Sequence, residues 1–193
     1  MTETTHRDYP ELLDDIDEFA GHLDPRERVG ALYGLIAPLL DRAEQEDEEI
    51  SDDPALSSAG VVRALRAAAA GEPTDADALH EALIILGLAF SEDQDRERGP
   101  VAQSAFSAAG WLRLRAGRDL RAGDLADDED PVPPYASSPF TRIVDLLAWT
   151  RSGQLYACWE DAPAHPELGD LPAATRELRA IRREIAGWAV GGG

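Results

Sequence analysis

The sequence predicts an all-α protein, an irregular bundle or array of about seven helices in one domain, broken by one long proline-rich loop. Three observations predict it. Helix-opening signals, a capping residue followed by proline or an acid, recur along the chain. Between them, apolar residues repeat at spacings of three and four. No stretch alternates apolar and polar residues for long enough to build a sheet. Alanine, the strongest helix former, is abundant, and a hydrophobic content of 44% over 193 residues is enough for a core.

The first helix is predicted over 8–23, capped by Asp8, with Pro10 in its first turn and Leu12, Ile16, Phe19 and Leu23 as its apolar stripe. Asp24-Pro25-Arg26-Glu27 opens a second helix, which carries Val29, Leu32, Ile36, Leu39 and Ala43 on one face. Pro38 crowds the carbonyl of Gly34, so a kink or short break is expected there. Residues 44–53 read as an acidic linker and 54–70 as a third helix, stopped by Gly71-Glu72-Pro73. Thr74 is the expected cap of a fourth helix. Its segment Ala82–Phe90 is apolar nearly all round, which predicts the central buried helix.

Ser91–Gly99 is a charged loop, and Pro100 starts a fifth helix reaching about Ala116. Residues 117–138 form the long proline-rich loop and the one candidate sub-boundary in a single domain spanning 1–193. Ser138-Pro139 opens a sixth helix to about Ser152. Residues 154–160 fit either a short strand or a continuing turn, and 161–170 a loop. The last helix, 172–189, has Leu178, Ile181, Ile185 and Trp188 on one face, and the closing Gly191-Gly192-Gly193 reads as a frayed end.

The formal charge is −20, from 38 acids against 18 basic residues. Every basic residue is Arg, and Lys and Asn are both absent. Those two use A-rich codons, so part of the acidity reads as genome composition. A charge this negative argues against direct nucleic-acid binding and against an anionic membrane surface. It leaves salt adaptation, plain solubility or an acidic face for a basic partner. The single cysteine, Cys158, allows no internal disulfide and fits a reducing cytoplasm. The N-terminal residues lack the pattern of a signal peptide, and Ala82–Phe90, the longest apolar run, is too short for a membrane span.

Few residues suggest chemistry. Glu11, Asp15, Glu18 and His22 form a second stripe on the first helix and are the only metal candidates; a solvated flank explains them as well. Glu46-x-x-Glu49 and Glu92-x-x-Asp95 have the letters of the Mg²⁺ motifs of all-α nucleotide pyrophosphohydrolases, but stand in charged, loop-like stretches. Two arginine islands interrupt the acidic background. Arg113, Arg115, Arg118 and Arg121 lie beside Trp111, and Arg176, Arg179, Arg182 and Arg183 lie on the last helix. They suit an anion, or internal pairing with the surplus carboxylates. Tyr135 in the proline-rich loop and Trp159 beyond it are further contact candidates.

Ala31-Leu-Tyr-Gly-Leu-Ile-Ala and Pro133-Pro-Tyr-Ala-Ser-Ser loosely resemble the all-α chaperones that mature molybdenum enzymes and bind twin-arginine signals. The resemblance covers about a tenth of the chain, and the acidic and apolar signature that follows Pro-Pro-Tyr in that family is missing. The residues themselves point to a non-enzymatic, acidic, cytoplasmic binding or regulatory protein, without cofactor, acting on a basic protein or peptide. The alternatives are a small all-α metal- or phosphate-dependent enzyme and a maturation chaperone for an exported redox enzyme.

Overall fold

A computed structural model describes residues 2–51, 56–91, 98–116, 138–153 and 171–191. Among them are seven helices: α1 (Thr2–His22), α2 (Pro25–Glu46), α3 (Ser58–Ala69), α4 (Ala76–Ser91), α5 (Gly99–Arg115), α6 (Pro139–Arg151) and α7 (Leu171–Gly191). The only β pairing among the described residues is an isolated bridge between Glu49 and Ser57. The all-α expectation is met. The proline-rich loop at 117–137 and the ambiguous segment 154–160 lie outside the described residues.

Local signals start the helices where side chains can satisfy free backbone N–H groups. Asp24 accepts from the amides of Arg26 and Glu27, while Glu27 accepts from the Asp24 amide, completing a capping box at α2. Ser57 caps α3 by accepting from Gly60 N–H. Ser138 and Thr141 form a second capping box at α6. Three expected starts move. Helix α3, expected from 54, begins at Ser58. Asp75, not Thr74, caps α4, through the amides of Asp77 and Ala78. Helix α1 begins at Thr2, so Pro10 lies inside it and Asp8 is no cap. Helix α2 also runs through Pro38 without a break.

The α1 stripe is turned from the one expected. Tyr9, Leu13, Ile16, Ala20 and Leu23 are buried, whereas Leu12 and Phe19 only flank the core. The reason is that α1 packs against α6 and α7 together. Phe19 is covered from α7 by Arg182, whose guanidinium carbon lies 4.0 Å from the ring centroid.

The buried centre also differs from expectation. Among the described residues, helix α4 packs mainly on α3 and α5, and its Leu88 is 53% exposed. The centre is built by α5 and α6. Helix α5 touches α2, α4 and α6. It manages this with small residues: Ala102, Ser104, Ala105, Ser107, Ala108 and Ala109 are all buried. Its two serines return their hydroxyl hydrogens to carbonyls one turn back, Pro100 and Gln103. Helix α6 is buried from Phe140 to Thr150 except at half-buried Leu146. Its polar residues hid this from a periodicity argument. Thr141 and Thr150 are satisfied within the helix, by Ser138 O and Leu146 O.

Helix α4 meets α5 closely at Gly87, where a Cβ would come within 2.5–2.9 Å of the Phe106 ring. Gly87→Ala would gain about 1 kcal/mol of helix propensity. Overpacking costs roughly 1–3 kcal/mol, so the variant should be net destabilised in urea unfolding. Phe106→Ala should suppress that loss in a double-mutant cycle. A Gly87→Ala protein more stable than wild type would refute the close contact.

Candidate functional site

Of the sites read from the sequence, the metal stripe does not close. Glu11, Asp15, Glu18 and His22 are all exposed, and Asp15 is engaged across the helix pair by Arg182 Nε at 2.8 Å. No group of three metal-type side chains occurs among the described residues. Arg118, Arg121, Tyr135 and Trp159 lie outside the described residues. Of the chaperone-like segments, Pro133–Ala136 and Ser137 lie outside them too. In the other, Ala31, Leu32, Leu35 and Ile36 are core residues of α2.

The arginine islands split. On α7, Arg182 pairs with Asp15, as internal neutralisation predicts. On α5, Arg113 Nε donates to His80 Nε2 at 3.2 Å, a contact that needs that nitrogen unprotonated. Arg115 instead stacks over Trp111, 5.6 Å from its ring, and meets no carboxylate among the described residues.

Arg115 and Trp111 form one wall of a groove of about 820 Å³ between α2, α3, α5 and the end of α7. Trp111 is held firmly: its indole N–H donates to Val29 O at 2.7 Å, and its ring packs against Tyr33 at 5.3 Å between centroids. Trp111 itself is buried, at 2% exposure, and the exposed ring at the groove is Trp188, at 48%. Its ring rests on the glycines of α2. A Cβ on Gly34 would stand 2.7 Å from Trp188 Cζ2, and one on Gly30 would stand 3.4 Å from Cζ3. Ala69, Ala70 and Gly71 keep the α3 side shallow.

Arg26 and Arg66 complete the groove's cations. Arg66 is already committed to Glu44, through a two-pronged pair at 3.0 and 2.6 Å that holds the Glu44 carboxyl below the usual carboxylate range. Arg26, exposed at the N-terminus of α2, meets no carboxylate among the described residues. Arg26 and Arg66 carry no site signal in the sequence, and Trp188, expected on the core face of the last helix with Leu178, Ile181 and Ile185, instead stands half exposed on the α2 glycines. The available signal was Gly30 and Gly34, four apart on a helix where glycine costs about 1 kcal/mol each.

A second polar cluster lies in the core. Asp145 on α6 is 1% exposed and accepts from the Tyr9 hydroxyl of α1. The Trp149 indole, one turn on, is near enough to favour the carboxylate, yet among the described residues its N–H lacks hydrogen-bond geometry to any acceptor. Burial outweighs the donors and pushes the Asp145 carboxyl up to about 7.

Compared with known proteins, the chain matches no family model, no curated protein and no solved structure. Among the described residues, no helix is long and apolar enough to cross a membrane.

The Asp145 shift has a sign. The native state keeps the proton up to about pH 7, whereas an unperturbed carboxyl loses it near 3.8. Stability from this group is therefore full below the lower value. It falls as pH rises between the two, by at most about 1.4 kcal/mol per pH unit, and is then flat. Asp145→Asn retains an acceptor for Tyr9 and has no proton to lose. Its stability relative to wild type should rise with pH across that window, in urea unfolding. A difference independent of pH would overturn the assignment.

Proposed function

We propose that the chain is a non-enzymatic helical binding protein whose contact surface is the groove between α2, α3, α5 and α7. One observation carries this reading. Trp188 stands half exposed at the groove edge, on a seat made by two glycines inside a helix. Leaving a tryptophan in water and placing glycine in a helix both cost stability. Tryptophan and arginine are also the side chains that most often dominate the energy of a protein contact. Tyr33 and Arg115 line the same groove, and Tyr33 is held by packing on the buried Trp111 before any ligand arrives.

The exposed acids of α1, namely Glu11, Asp14, Asp15 and Glu18, favour a second reading, a basic partner steered by the negative field. The two readings use different faces, so one experiment separates them. Native lysate is passed at low salt over the wild-type chain, Trp188→Ala, Gly34→Ala, and a Glu11→Gln/Glu18→Gln variant. The groove reading expects a partner that is captured by wild type, lost or much reduced on both groove variants, and kept by the α1 variant. Loss on the α1 variant alone, with groove variants unaffected, would replace it with the acidic-face reading. Near-wild-type helical circular dichroism of each variant confirms that losses are local.

A further inference from the structure

Resting on the groove reading above, we infer that the groove takes an acidic, amphipathic peptide segment, with an apolar side chain against Tyr33 and Trp188 and a carboxylate on Arg115 and Arg26. The charge pattern is the first support. Carboxylates outnumber guanidiniums by 38 to 18 in this chain. Even so, Arg115 and Arg26 line the same groove and meet no carboxylate among the described residues. Arg66, between the same walls, is already neutralised by Glu44.

The helix ends at the groove do not cancel this demand for an anion. The first amides of α2 are closed by the Asp24 side chain. The last carbonyls of α3 are closed by a left-handed Gly71, with φ +87°: Gly71 N–H donates to Ala68 O and Glu72 N–H to Ala67 O. The charge left for a ligand is therefore that of the guanidiniums.

The shape selects a peptide. Pro25, Val29 and Tyr33 recur every four residues along one face of α2, which makes the α2 wall about 12 Å long at 1.5 Å per residue. That length fits two helical turns, with apolar anchors at positions i and i+4. A free phosphate would leave Tyr33 and Trp188 unused. A nucleic-acid strand would bring a continuous row of phosphates against a chain of charge −20. One or two carboxylates avoid that, because at physiological salt the field of remote acids decays within about 8 Å.

The experiment uses the full chain as bait for a displayed library of random peptides, counter-selected on Trp188→Ala. The expected result is enrichment of Asp or Glu beside Leu, Phe or Trp at helical spacing. Synthetic versions of the enriched peptides, followed by fluorescence polarisation, should bind the Arg115→Gln/Arg26→Gln protein about tenfold more weakly than wild type. Enriched peptides that are neutral or basic, or equal affinity for the arginine variant, would overturn the acidic assignment while leaving the groove in place. A library with no Trp188-dependent binder would overturn both. Arg115 and Arg26 are exposed, so their variants keep the test meaningful where Trp188→Ala folds poorly.

Discussion

Asp145 lies among Tyr9, Trp149 and the apolar residues of the bundle centre, where burial keeps its carboxyl protonated up to about pH 7 and its buried oxygen still needs a donor. The Tyr9 hydroxyl supplies that donor from a position 136 residues away in the chain. The contact sets the rotation of α1, because Tyr9 inside the core brings Leu13, Ile16, Ala20 and Leu23 inside with it. The same rotation leaves Glu11, Asp15, Glu18 and His22 in water and puts Phe19 and Asp15 within reach of Arg182. A stripe that could have been a metal site becomes one half of a helix-to-helix ion pair.

The second constraint is the supply of small residues. Helix α5 can touch three neighbours because its buried positions are mostly alanine and serine. Close approach of this kind leaves little room for error, as Gly87 under Phe106 illustrates. On α2, the same economy of side chains has a different result. Gly30 and Gly34 open a seat on the surface, Trp188 fills it, and a groove remains between that ring and Trp111. Both arrangements come from removing side chains, one to bring helices together and one to seat a tryptophan at the surface.

The charge of the chain and the charge of the groove have opposite signs. Net charge describes the long-range field, which salt screens, whereas recognition depends on the groups within a few ångströms. Internal pairing accounts for Arg66, Arg151 and Arg182, each tied to a carboxylate on another helix. It does not account for Arg115, which spends its contact on an aromatic face. An arginine island read from sequence is thus two populations, distinguishable only by what each guanidinium meets.

Local sequence was enough for the all-α class, most helix positions and the caps at Asp24 and Ser138, because each depends on neighbours within one or two turns. It also marked the arginine cluster that holds Arg115, with Trp111 beside it, and the structure brings Arg115 and Trp111 to the groove. Three things were decided only by tertiary structure. The apolar α4 sits at the periphery and the more polar α6 at the centre, because burial of Asp145, Thr141 and Thr150 is permitted by their hydrogen bonds and not by their hydropathy. The α1 stripe is set by a partner on α6, beyond the reach of any local periodicity. The groove joins side chains from four helices, and a surface assembled from distant segments has no spacing along the chain by which to recognise it.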